Sequence, residues 1–340
     1  MPLAVPAPPG ASPHHVINGP PFLPGTGPYM ISQYRPNASL TLVRNPHFHQ
    51  WSYAAQPAGY PSVIRYKRVM DPAKRESAII AGRADLTEID MNGQFLATRY
   101  PARMHSALML WNTYLSLNTR QPPFTNVKAR QAVNYAIDRA RMLQLYHLAP
   151  GQGATTCQII PAGFPAHHSY CPYTTGAKDG SWHGPDMQKA RRLAKDSGTT
   201  GTPVTLWTVK GYADRAVGFY LVRLLKDLGY RAKLHTVSIE RFFNTIQDPR
   251  NKVQVDLQGW GADFPAASTF YSEILSCRSL YGDPTQTGNS SEFCDHHVDK
   301  LANEAQARQP TDPAAARRLW ARVDHLITDE APWVPVFSEH

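Results

Sequence analysis

The run Leu115-Ser-Leu-Asn-Thr-Arg-Gln-Pro-Pro-Phe-Thr-Asn-Val-Lys-Ala-Arg-Gln-Ala-Val-Asn-Tyr-Ala-Ile-Asp-Arg139 decides the fold class. Leu115 and Leu117 alternate with Ser116 and Asn118, the period of a half-buried strand. Pro122 and Pro123 end that strand, because neither has a backbone N–H to donate. Asn126 can then accept from the first free N–H groups of a helix. Ala129, Val133, Ala136, Ile137 and Ala140 follow at three- and four-residue spacing, with Lys128, Arg130, Gln131 and Asn134 mostly off that stripe. A strand, a turn and an amphipathic helix in this order are a joint of an α/β domain.

The pattern continues on the C-terminal side. A helix is predicted from Pro185 to the stop at Gly198, then a strand at Val204–Val209 and a helix over 214–228 ending at Gly229. A strand at Arg231–His235, a helix at Ile239–Ile246 and a strand at Val253–Leu257 complete a β-α-β-α-β rhythm. Helices near 297–307 and 312–328 lead to a final strand at Trp333–Phe337. On the N-terminal side, Met30-Ile31, Leu40–Val43 and Ser62–Met70 read as a β-meander with Asn37 at its first bend. A short helix from Pro72 to Ala81 stops at Gly82, and Ala84-Asp-Leu86 leads into a buried strand. The expected organisation is an extended Pro-rich segment over 1–24, a mixed β-sheet region over 25–112 and an α/β lobe over 113–340.

Composition excludes several classes. The 340 residues are 42% hydrophobic and 10% aromatic, which rules out wholesale disorder and leaves room for two domains. The net charge of +9 is dispersed rather than gathered on one face, so nucleic acid is not an expected partner. No apolar run approaches the roughly 20 residues of a membrane helix, and the N-terminal residues do not read as a signal peptide. No nucleophile elbow, phosphate loop or dinucleotide fingerprint is present, so no catalytic residues are assigned and the chain is not read as an enzyme. The adjacent histidines His14-His15, His167-His168 and His296-His297 point to opposite sides in an extended chain, so neither a metal site nor a cofactor is assigned. Cys157 and Cys171 bracket one short loop and Cys277 and Cys294 another. Three pairings are open, sequential pairing is the simplest, and four unpaired buried thiols are the competing account. Each sequential bridge would add about 3 kcal/mol in the chain-entropy model and implies an oxidising compartment.

The best candidate site is Gly259-Trp-Gly-Ala-Asp-Phe-Pro265, placed after the Val253–Leu257 strand, since strand ends carry the ligands of α/β folds. Trp260 offers an apolar wall and Asp263 a carboxylate for an ammonium group. From the residues alone a plain Asp-Phe-Pro turn is the simpler account.

Together these motifs resemble the solute-binding proteins of ABC importers, family 5, whose members bind peptides, dipeptides, oligopeptides or nickel. The resemblance rests on Gly25-Thr-Gly-Pro-Tyr29, Arg44-Asn-Pro46 with Phe48, Ala81-Gly-Arg-Ala-Asp-Leu86, the Leu115–Arg139 run and the Gly259–Phe264 segment, in that order. It implies a type II periplasmic-binding-protein clamshell, with one complete lobe and part of the other. It implies that Asp263 meets a ligand's α-amino group, with Trp260, Gly259, Gly261 and Phe264 around it. The chain departs from the family pattern at Pro265-Ala266-Ala267, where many members have Asp-Pro or Glu-Pro, and this leaves the choice of ligand open. It also lacks family segments at both ends, so a fragment that binds peptides weakly or not at all is expected. The implied protein is a monomer outside the cytoplasm, periplasmic or tethered at the cell surface, that passes peptides or other small solutes to a membrane permease. A metal or haem carrier of the same fold and a sensor lobe of a larger regulatory protein are the alternatives.

Overall fold

A computed structural model describes residue 22 and residues 25–339, apart from 55, 89–93, 106–109, 149–150, 177–178, 212–215, 265 and 282–286. The expected Pro-rich segment over 1–24 therefore lies almost wholly outside the described residues. The chain divides into two compact units, one ending at Pro101 and the other starting at Ala102. The division thus falls ahead of residue 113, and the strand that opens the second unit's sheet already begins at Trp111.

In the first unit, strands β1 (Tyr29–Arg35), β2 (Ser39–Arg44) and β3 (Val63–Lys67) form an antiparallel meander. Asn37 makes the first bend in the left-handed region, at φ 58°, which Asn tolerates better than most residues. The Arg44 guanidinium donates to the carbonyls of Ala58, Gly59 and Tyr60 at 2.6, 2.8 and 3.0 Å. Asn45 Nδ2 donates to the carbonyls of Gly25 and Gly27, and the Tyr29 hydroxyl to that of Pro61. These family-like residues are fasteners of the meander. A helix at Pro72–Ile80 is capped by Asp71, which accepts from Ala73 N–H at 3.0 Å, and ends before Gly82 in the left-handed region. No strand forms over residues 84–88, where Leu86 stands 86% exposed, and residues 89–93, towards which the expected buried strand would run, lie outside the described residues.

The second unit is built on a six-stranded sheet. Its strands are β4 (Trp111–Leu117), β5 (Gly153–Thr155), β6 (Pro203–Val209), β7 (Arg231–Val237), β8 (Val255–Gly261) and β9 (Trp333–Glu339). Their order across the sheet is β5-β9-β4-β8-β6-β7. β6 runs parallel to β7 and β8, whereas β4 is antiparallel to β8 and β9. Pro335 in β9 cannot donate to the ladder, and the β4–β9 register shifts there, between Thr113 opposite Phe337 and Tyr114 opposite Pro335.

Being central, β4 is buried from Asn112 to Leu117 on both faces, not on the single face that its alternation suggests. The polar residues on it are buried because each has a partner. Asn112 Nδ2 donates to the carbonyl of Ile159 at 2.6 Å, and Ser338 Oγ donates to Asn112 Oδ1 at 2.5 Å. One sheet face carries Tyr114, stacked on Trp333 at 3.5 Å, in a core with Phe270, Leu275, Trp320 and Val323.

Asn126 caps the helix Val127–Ala136, accepting from Lys128 N–H at 2.9 Å. The helix stops at Ile137, whose backbone is extended, and Asp138 caps a separate helix, Arg139–Leu145. Ala140 therefore leaves the buried stripe, whereas Arg130, Asn134 and Arg139 enter the interior. Arg139 is fully buried, and among the described residues no acid pairs with it. Its guanidinium donates to the carbonyls of Thr156 (2.8 Å), Pro335 (2.9 Å), Asn134 (3.3 Å) and Tyr173 (3.5 Å). Burial pulls its pKa down to about 9. Helices at Met187–Asp196, Ala216–Asp227, Ile239–Ile246, His296–Arg308 and Pro313–Glu330 match the periodic segments of the sequence to within a few residues.

Both sequential disulfides are present, Cys157–Cys171 and Cys277–Cys294. The first loop is held down by Asp324 of the Pro313–Glu330 helix. Its carboxylate accepts from Gln158 Nε2 at 2.7 Å and from the N–H groups of Ile159 and Ile160 at 3.0 and 3.3 Å. Burial nonetheless raises the Asp324 pKa, against the pull of those donors.

Candidate functional site

The Gly259–Phe264 segment is not all loop. Gly259, Trp260 and Gly261 are the last residues of β8 and pair with Thr113, Asn112 and Trp111 of β4. The strand thus runs four residues beyond the expected end at Leu257, and the loop proper begins at Ala262, whose N–H donates to the Leu110 carbonyl at 2.8 Å.

The glycines are explained by Trp111. Its indole lies flat along the β8 backbone, and a Cβ at Gly259 would sit 2.4 Å from it. At Gly261 the corresponding distance is 2.6 Å. Any larger residue at either position collides with that ring. Trp260 points to the other sheet face, where it packs against the Tyr114–Trp333 core. Its Nε1 donates to the Thr269 carbonyl at 3.0 Å, and Thr269 Oγ1 accepts from the Asp263 N–H at 3.1 Å. Thr269, itself buried in a short helical turn at Ala267–Phe270, therefore fixes both Trp260 and Asp263.

Asp263 is exposed, and among the described residues no donor meets its carboxylate. Phe264 is half-buried, and Pro265 lies outside the described residues. The structure thus brings Gly259, Trp260, Gly261, Asp263 and Phe264 together at the end of a central strand. It adds Trp111 and Thr269, which the sequence reading did not select. A bulky aromatic opposite a Gly-x-Gly strand end is the signal that could have found Trp111; Thr269 had none.

A second polar group lies lower on the same strand pair. Asp256 is 1% exposed and accepts from Gln258 Nε2 at 2.7 Å. Gln258 also reaches Ser290 Oγ, which donates to Ser116 Oγ at 2.8 Å. Burial drives the Asp256 pKa up to about 8, while the hydrogen bonds from Ser290 and Gln258 pull it down. The same burial, aided by the nearby Asp256 charge, holds the Tyr114 hydroxyl well above its ordinary pKa. Among the described residues, three metal-capable donors gather at one place only, Cys277, Cys294 and His296. No helix of the described residues is long and apolar enough to cross a membrane.

The candidate site is thus a strand end of a mixed sheet followed by an exposed acid, with Trp260 packed into the core on one sheet face and Trp111 along the backbone on the other. Residues 6–282 match the family described as bacterial extracellular solute-binding proteins, family 5 Middle, and the chain belongs to that family. The glutathione-binding protein GsiB of Escherichia coli is 24% identical over 333 residues, covering 93% of this chain and 59% of GsiB. The clavulanic acid biosynthesis oligopeptide binding protein 2 superposes with a TM-score of 0.79 at 24% identity, over 92% of this chain and 59% of that one. The periplasmic binding protein DppA from Helicobacter pylori, solved with the peptide STSA, gives 0.72 at 20% identity, over 92% of this chain and 58% of its own. The fold is therefore the α/β fold of type II periplasmic binding proteins. The chain spans a little under three fifths of the length of these relatives, all of them binding proteins rather than enzymes.

Proposed function

We propose that the protein is the solute-binding component of an ABC importer. In this reading it works as a monomer outside the cytoplasm and captures peptides or similar amine-bearing solutes for a membrane permease. The observation that carries the proposal is Asp263, an exposed carboxylate that meets no protein partner among the described residues, on a backbone pinned by Thr269. A fixed acid of this kind suits a ligand ammonium group, because the charge-assisted bond forms without reorganising the loop. The half-buried Phe264 beside it and the indole of Trp111 add apolar surface of the kind that lines small-ligand sites. Glutathione and the peptide STSA, the ligands of two of these relatives, carry free amino groups, in keeping with this chemistry. Two disulfides favour an oxidising compartment.

The test is an NMR titration of the full chain with short peptides up to millimolar concentration, each with a free or an acetylated amino terminus. Free-amine peptides should shift the resonances of residues 260–264, and acetylated ones should not. Asp263→Asn should weaken the free-amine response by roughly 10- to 100-fold, the value of a hydrogen bond to a charged group. Equal responses to both peptide forms, or none to either, would overturn the assignment.

A further inference from the structure

The second disulfide has a neighbour that the first lacks. Cys294 stands two residues before His296, which opens the helix His296–Arg308 behind its N-cap Asp295. A ring nitrogen of His296 and the sulfurs of Cys277 and Cys294 all lie within 4.8 Å of one another. A fourth donor is beside them. Asp299 Oδ2 is 3.9 Å from His296 Nδ1, and Asp299 Oδ1 accepts from the Cys277 N–H at 3.3 Å and from the Tyr271 hydroxyl. Two sulfurs, an imidazole and a carboxylate are a donor set for zinc. In a tetrahedral zinc site, ligand bonds of about 2.0–2.3 Å put the donors roughly 3.3–3.8 Å apart. An exposed imidazole and two sulfurs freed from their bond need move little to reach that spacing.

We propose that Cys277, Cys294, His296 and Asp299 form a redox-gated zinc site, closed while the sulfurs are joined and open once they are reduced. A dithiol reductant cleaves the Cys277–Cys294 bond by exchange. Its own two sulfurs end as a disulfide, and its two protons end on the Cys277 and Cys294 thiols. Zinc then binds both sulfurs as thiolates and releases those protons to solvent. The position of Cys294 at a helix N-terminus favours its thiolate. Because zinc binds the reduced form alone, it holds that form against reoxidation. Among the described residues no third metal donor gathers at Cys157–Cys171, so that bridge is an internal control in the same molecule.

The test reduces the full chain with a phosphine under anaerobic conditions and removes the reductant. The protein is then alkylated with iodoacetamide, with and without zinc, and each cysteine is read by peptide mass mapping. Zinc should slow alkylation of Cys277 and Cys294 by about tenfold or more, as for a site near saturation, and leave Cys157 and Cys171 unchanged. His296→Ala removes an exposed side chain, should leave the oxidised disulfide intact, and should cost most of the protection. Protection of neither pair, equal protection of both, or full protection in His296→Ala would overturn the proposal. So would a reduced chain that loses its circular dichroism and does not regain it with zinc.

Discussion

The two units treat their apolar residues in opposite ways. In the second, β4 is covered on both faces, and Leu117, Val334 and Phe337 are wholly inaccessible. In the first, Leu96 alone is buried among the described residues, while Trp51, Tyr60 and Met70 are 72%, 88% and 73% exposed. Both units have well-paired strands. The difference is a second layer, since strand pairing satisfies backbone groups but only a covering layer removes side chains from water. Stability should therefore be concentrated in the second unit, and four substitutions probe that division.

The largest effect is expected from Arg139→Ala, which leaves buried carbonyls without donors and opens a cavity. It should cost the second unit about 3–5 kcal/mol in urea unfolding. If reporters in the first unit moved with it to the same midpoint, the two would unfold as one body and the contrast would fail. Gly259→Ala should cost about 1–3 kcal/mol, because the new methyl meets the Trp111 ring. Its fluorescence should show a displaced indole, and an unchanged spectrum with unchanged stability would contradict the packing described.

Asp256 sets a pH signature for the second unit. Its folded pKa of about 8 lies far above the roughly 3.9 of an unfolded Asp. Between those values the folded state keeps a proton that the unfolded state has lost. This contribution is thus fully present below about pH 4 and falls by up to about 1.4 kcal/mol per pH unit as pH rises towards 8. Asp256→Asn should flatten that slope, as thermal unfolding at several pH values would show. The smallest effect belongs to the first unit. Tyr66→Ala on exposed β3 should change global stability by no more than about 0.5 kcal/mol, and a larger loss would reveal cover over that strand.

The periodic helices and most strands were legible in the sequence, because their burial follows spacing. Asn126 read as a cap and acts as one. What escaped was decided by partners distant in the chain. Nothing local says that Arg139 is interior, since the carbonyls that solvate it come from residues as far away as Pro335. Ser116 and Asn118 looked like a solvent face and are buried through bonds to Ser290 and Glu292. Gly259 and Gly261 looked like loop residues, because glycine weakens strands, yet here Trp111 occupies the space that their side chains leave. At the candidate site, the acid and the tryptophan stood out in the sequence, and the threonine that fixes both did not. His296 was set aside with its neighbour as a poor chelator, and only the fold puts it beside two sulfurs.

The place of β9 in the sheet has a consequence in time. The strand pairs with β4 at the middle of the sheet, and the Ser338–Asn112 bond joins residues 226 apart in sequence. During synthesis, β4 emerges long before the neighbour that covers one of its edges. A chain of such long-range contacts folds slowly, because loop closure must precede the reward. Until β9 arrives, a long apolar edge stands open to any strand nearby. Between the making of Leu117 and the making of Val334, that edge of β4 lacks its native partner, the condition under which unpaired strands associate.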